Sequence, residues 1–318
     1  TASHFVTVME GMRKAFPDTR LYYASGSDVV NPRTERLARE YDRVSESCVV
    51  AKASDVVVLC VGLDERYEGE AHHISTGECI GGDKEDLHFP ETQQKLIDAV
   101  LDCGTPVVLC CMAGSCMDLS PYADWAAAVI QTWYPGAEGG QVLADILAGK
   151  TAPSGKLPVT FYGGDYELPD FTDYSLKNRT YRYVEQGVLY PFGYGLTYGT
   201  AEVISAAYDQ KSKKVSYEIV NRSDRAVEET VQVYKKNRTS KWEVRNTVLC
   251  GFAKVCLAPG ETRQGEIQLD EYAFTVVNDQ GKRVQDGSDY LLYVGTHGPD
   301  KRSEELTGTK TIALDIKF

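Results

Sequence analysis

Through the first half of the chain, short apolar runs alternate with amphipathic stretches. Residues 5–16 carry apolar side chains at helical spacing and predict a helix with no strand ahead of it. Residues 21–24 (Leu-Tyr-Tyr-Ala) read as a short strand and 33–52 as a helix. Residues 53–62, with the run Val56-Val57-Val58-Leu59, read as a strand buried on both faces. A long polar stretch occupies 63–88, immediately after that strand's carboxyl end. Next come a helix over 90–103, a strand over 106–111, a helix-to-strand unit over 124–133, and a helix over 139–148 that stops at Gly149. Such alternation implies a mostly parallel sheet with helices on both sides, where ligands bind outside the carboxyl ends of the strands.

The pattern changes after residue 150. Prolines 153, 158, 169 and 191 sit among glycines and tyrosines, the mark of a structured connector. From about residue 200 the helical period disappears. Alternating runs over 214–220, 230–235, 249–255, 262–269 and 290–295 are separated by turn signals such as Asn221-Arg222-Ser223-Asp224 and Pro259-Gly260. Short strands at this spacing predict a β-sandwich of immunoglobulin or fibronectin type III kind. The expected organisation is an α/β domain over 1–160, a connector over 161–199 and an all-β sandwich over 200–318.

Charge and cysteine usage narrow the partners. The chain has 34 Lys and Arg against 46 Asp and Glu, a net charge of −12. An acidic surface of this kind argues against nucleic acid or an anionic membrane as the main partner. No apolar run reaches the length of a membrane span. The nine cysteines show no CxxC spacing, and several lie inside apolar runs such as 107–112. That usage points to reduced thiols and a cytoplasmic location. Sequons at Asn178, Asn221 and Asn237 are read as chance occurrences.

The polar stretch after the 53–62 strand holds the candidate chemistry: Glu68-Gly69-Glu70 followed by His72 and His73. In extended chain, residues two apart project to one side, so Glu68 and Glu70 can share a cleft. Two carboxylates held together push one another toward the protonated form. The plain alternative is a solvated acidic loop. A metal site at His72 and His73 lacks the further spaced ligands that would complete a shell, so no metal is expected. Residues 133–140 (Trp-Tyr-Pro-Gly-Ala-Glu-Gly-Gly) resemble a glycine-rich turn able to receive phosphate at a helix start, but match no nucleotide fingerprint. Close backbone packing is the better reason for those glycines.

Several stretches together resemble the C-terminal half of glycoside hydrolase family 3, the β-xylosidase and β-glucosidase family. They are Ser54-Asp55-Val56-Val57-Val58 leading to Gly62-Leu63-Asp64 and Glu68-Gly69-Glu70; Gly82-Asp83-Lys84-Glu85-Asp86-Leu87 before Pro90; residues 133–140; residues 153–161; Tyr181-Arg182-Tyr183; and residues 190–198. Residues 300–306 resemble that family's fibronectin-like domain. The resemblance implies a retaining hydrolase that removes a non-reducing terminal β-linked sugar without a cofactor. It places the general acid/base at Glu70, with Glu68 as the alternative, and the tract from Tyr67 to Asp83 looks most like the β-xylosidase branch. In that family the aspartate nucleophile comes from a TIM-like barrel, and no eightfold βα repeat occurs in these 318 residues. The expected partners are an oligosaccharide or aryl glycoside substrate, a barrel segment or second chain bearing the nucleophile, and further copies in a homo-oligomer. The first strand of the α/β sandwich is expected to precede Thr1. A non-catalytic carbohydrate-binding or assembly module is the rival reading, with a nucleotide-binding protein using 134–140 behind it.

Overall fold

A computed structural model describes residues 3–29, 41–64, 68, 79–80, 83–84 and 86–318. The chain divides into two compact units, Thr1–Thr151 and Ala152–Phe318. In the first unit the order is α1 (Val8–Ala15), α2 (Asp42–Lys52), β1 (Val57–Gly62), β2 (Cys79–Ile80), β3 (Asp83–Lys84), α3 (Glu91–Leu101), β4 (Val107–Met112), α4 (Ser120–Ala123), β5 (Ala128–Gln131) and α5 (Gly139–Leu147). Strands β1, β4 and β5 form a parallel sheet in that order. This is the mostly parallel α/β architecture that the alternation predicts.

Strand β4 lies in the middle, and Val107, Leu109, Cys110 and Cys111 are all buried. The 53–62 strand departs from expectation. It starts only at Val57, and Leu59 and Val61 on one face are buried while Cys60 on the other is exposed. Residues 21–24 join no ladder among the described residues, and Tyr22 and Tyr23 face solvent. Helix α1 begins with a capping box between Thr7 and Glu10. It packs on α5 backbone to backbone, since a Cβ on Gly140 would lie 2.2 Å from the Thr7 carbonyl oxygen and one on Gly11 would lie 2.1 Å from that of Gly140. Gly140 therefore serves close helix packing, whereas Gly139 lies against the Pro135 ring and Gly136 supplies a turn with φ +70°. The Gly140 N–H, one of the orphan donors at the start of α5, already donates to the Val6 carbonyl at 3.2 Å, which removes a donor that a phosphate would need.

The second unit begins with β6 (Phe161–Tyr162), α6 (Thr180–Tyr183) and β7 (Val188–Tyr190). It continues as β8 (Ala201–Asp209), β9 (Lys214–Asn221), β10 (Val227–Asn237), β11 (Val248–Leu257), β12 (Thr262–Gln268), β13 (Val276–Val277), β14 (Arg283–Val284), β15 (Asp289–Gly295), α7 (Lys301–Thr307) and β16 (Ile312–Lys317). Two antiparallel sheets, β11-β10-β15-β16 and β12-β9-β8, enclose a core that includes Val215, Ile219, Val231, Val233, Leu257, Tyr290 and Leu292. Strand β10 is buried along almost its whole length. One set of its side chains faces the core, and the connector covers the other. Gln232 donates to the Gly193 carbonyl at 2.9 Å, and Phe192 meets the edge of the Tyr234 ring. Gly193 has φ +80°, and a Cβ there would lie 2.2 Å from the Tyr234 hydroxyl, so both backbone and contact require glycine.

Two of the sequons are structural. Asn221 and Asn237 are buried, and their amide nitrogens donate to the carbonyls of Arg225 at 2.7 Å and Asp286 at 2.7 Å. A glycan on either would break the turn that the amide holds. The eight cysteines with described side chains are free thiols, and among the described residues no helix is long and apolar enough to cross a membrane.

Candidate active site

The candidate site lies at the carboxyl ends of β1, β4 and β5. Strand β1 ends at Gly62, whose chain runs against Met112 at the end of β4. A Cβ on Gly62 would lie 1.9 Å from the Met112 carbonyl oxygen, which instead accepts the Leu63 N–H at 3.0 Å. The buried Gln93 side chain on α3 clamps the same point, accepting from the Gly62 N–H and donating to its carbonyl, both at 2.7 Å. A buried amide that satisfies both backbone groups of one residue fixes where the following loop starts.

That loop carries Glu68. Its N–H donates to the Asp64 carbonyl at 3.1 Å, which turns the chain back toward β4. The carboxylate accepts three hydrogen bonds from two other strand ends. The Gly114 N–H donates to Oε2 at 3.1 Å, the Ser115 hydroxyl donates to Oε1, and the Tyr134 hydroxyl donates to Oε2. Gly114 and Ser115 follow β4, and Tyr134 follows β5. Gly114 leaves space for the arrangement, as a Cβ there would meet the Tyr134 ring at 2.8 Å. Trp133, directly before Tyr134, has φ +56°, an uncommon backbone for a bulky residue and one often found at functional positions.

Burial pushes the Glu68 carboxyl up, but the donors Ser115, Tyr134 and Gly114 outweigh it and hold the group below the usual range. Glu68 is accordingly ionised at neutral pH. Burial, reinforced by the bond to Glu68, raises the Tyr134 phenol, which stays neutral and able to donate. Lys84, at the far end of the same polar stretch, donates to the Cys116 carbonyl at 2.7 Å and meets the Met117 sulfur at 3.3 Å. Burial lowers its ammonium, and the charge of Glu68 acts against that shift. The neighbouring Cys111 thiol is pushed up to about 12 by burial, so it stays protonated.

Of the residues singled out in the sequence, Glu68 lies in this cluster. Glu70, His72 and His73 lie outside the described residues. No cluster of three or more metal-ligating side chains occurs among the described residues. Local pattern did not point to Gln93, Ser115 or Tyr134 as partners of the acidic pair. The available signal was position, since Gly114-Ser115 and Tyr134 each directly follow a strand at its carboxyl end.

The sequence matches the model of the glycosyl hydrolase family 3 C-terminal domain over residues 1–198 and that of a fibronectin type III-like domain over residues 229–298. The chain belongs to glycosyl hydrolase family 3. Similar proteins include a xylan 1,4-beta-xylosidase of Xylanibacter ruminicola, 34% identical over 280 residues that cover 86% of this chain and 32% of that protein. A periplasmic beta-glucosidase of Salmonella typhimurium is 30% identical, covering 92% of this chain and 41% of that protein. Among solved structures, the Bifidobacterium adolescentis GH3 beta-glucosidase aligns with TM-score 0.80 at 26% identity, over 99% of this chain and 46% of that one. The chain thus spans from about a third to just under half the length of these family members.

Proposed function

We propose that this chain supplies the general acid/base of a retaining β-glycosidase that releases a non-reducing terminal sugar, with a terminal β-xyloside as the first substrate to test. A barrel segment or second chain supplies the aspartate nucleophile. The observation that carries the reading is Glu68, whose side chain ties the loop after β1 to the ends of β4 and β5. Glu70 is two residues further on. Covalent reach keeps its Cα within about 7 Å of that of Glu68.

The two carboxyls suit different roles. Glu68, ionised and held by three donors, has no proton to give. Its negative charge favours the protonated form of a carboxyl held beside it, which is what an acid working near neutral pH requires. In the first step Glu70 donates its proton to the glycosidic oxygen, the bond from that oxygen to the anomeric carbon breaks, and the external aspartate forms an ester at that carbon. In the second, the Glu70 carboxylate takes a proton from water, the hydroxide oxygen bonds to the anomeric carbon, and the aspartyl ester breaks. No cofactor enters either step.

A leaving-group series on the complete enzyme tests this. Glu70→Gln is expected to lower kcat on xylobiose by about 10²–10⁴-fold. Cleavage of 2,4-dinitrophenyl β-xyloside, whose leaving group departs without a proton, is expected to be spared in its glycosylation step. Wild-type rates on both substrates would reject Glu70 and leave the non-catalytic carbohydrate-binding or assembly module as the reading to pursue.

A further inference from the structure

Both ends of the polar stretch between β1 and α3 are fastened to one short segment, residues 113–118, which follows β4. At the near end Glu68 accepts from the Gly114 N–H at 3.1 Å and from the Ser115 hydroxyl. At the far end Lys84 donates to the Cys116 carbonyl at 2.7 Å, and three residues further on the Leu87 carbonyl accepts the Asp118 N–H at 2.6 Å. The segment is itself held from beneath. Gln131 donates to the Ala113 carbonyl at 2.9 Å, and Met117 and Asp118 are buried. Tyr134 adds a second anchor for Glu68 from the end of β5. None of these contacts is needed to pair the sheet strands or to fill the core. Their common effect is to fix the two ends of the stretch in which Glu70 lies.

We propose that Glu68 and Lys84 are positioning residues for the acid/base, and that residues 113–118 form the ledge to which these two residues are tied. The proposal rests on Glu70 being the acid/base. Glu68 acts through Glu70 in two ways. Its three hydrogen bonds fix the backbone two residues upstream of Glu70, and its charge keeps the Glu70 carboxyl protonated to higher pH. Lys84 balances that charge and closes the far end.

The test uses the complete enzyme with xylobiose and 2,4-dinitrophenyl β-xyloside as probes. Glu68→Ala, and separately the double variant Ser115→Ala/Tyr134→Phe, are expected to lower kcat on xylobiose by about 10–100-fold, the scale of an ångström-sized misplacement. KM for xylobiose and the glycosylation step of the dinitrophenyl substrate, which needs no proton, should change little. In Glu68→Gln the alkaline limb of kcat should move to lower pH, a shift that a merely structural role would not produce. Added azide should accelerate Glu70→Ala on the dinitrophenyl substrate and leave Glu68→Ala unaffected. The double variant leaves Glu68 in place, so it carries the test should Glu68→Ala fail to fold. Unchanged xylobiose kcat in both Glu68→Ala and the double variant would overturn the positioning role while leaving Glu70 as the acid. Azide rescue of Glu68→Ala would overturn it in the other direction, by making Glu68 itself the acid. A Glu70→Ala enzyme with wild-type rates would instead remove the reading on which the proposal stands.

Discussion

The two units bury polar side chains for different ends. In the second unit these groups replace missing backbone partners or pair with one another inside the sandwich. Asn221 and Asn237 close turns, Gln232 bridges the carbonyls of Gly193 and Thr296 at 2.9 and 3.0 Å, and Lys235 meets Glu243 at 2.7 Å with both side chains more than nine-tenths buried. In the first unit, Gln93, Ser115, Tyr134, Glu68 and Lys84 converge on the carboxyl ends of three parallel strands. The bonds of Glu68 and Lys84 there end on residues 114–117 and Tyr134, beyond the strands. Polar groups that hold a fold together should therefore be costly to remove in free energy, whereas those that hold a loop for chemistry should be costly mainly in rate.

The sharpest challenge to that contrast is the buried pair. Lys235→Met strands Glu243 as an unpaired carboxylate, and one of its oxygens, Oε1, already lacks a hydrogen-bond partner. The expected loss is about 3–5 kcal/mol in urea unfolding, largely recovered in Lys235→Met/Glu243→Leu. A loss below about 1 kcal/mol for the single variant would place this pair with surface ion pairs and erase the contrast. By comparison, Tyr134→Phe removes one donor from a site open to water. It should cost only about 0.5–1.5 kcal/mol, measured in the same way.

The smallest expected effect is a dependence on acid. The Glu68 carboxyl is depressed in the folded chain, so its contribution is present above the ordinary glutamate value of about 4.3 and is lost as pH falls through the lower folded value. Tyrosine ring signals assigned to Tyr134 by comparison with Tyr134→Phe should move in that acidic window. Invariance from neutral pH down to acid unfolding would show that Glu68 is not bound as described.

How far the sequence reached follows from the range of each interaction. The parallel sheet and the sandwich strands were legible because they rest on local periodicity, and the Glu-x-Glu loop was legible because it directly follows a strand. Strand β8 shows weaker alternation, as Ala-Glu-Val-Ile-Ser-Ala-Ala-Tyr illustrates, and a register shift between Val203 and Ser205 interrupts its period. Leu21–Ala24 has strand-like composition but no ladder partner among the described residues, and composition alone does not supply one. The partners of Glu68 lie 46, 47 and 66 residues away in sequence, beyond any local pattern. Gly140 shows the same limit: its cause is the chain at the start of the Val8–Ala15 helix, more than a hundred residues earlier.

Glu70 is the proposed proton donor and Glu68 its proposed support. The most direct measurement is product analysis of Glu70→Ala in the complete enzyme, given 2,4-dinitrophenyl β-xyloside and sodium azide. Azide-dependent turnover yielding β-xylosyl azide is expected, because with the general base gone the small anion reaches the aspartyl ester without needing deprotonation. Azide-independent turnover by Glu70→Ala at the wild-type rate, with xylose as the sole sugar product, would contradict it.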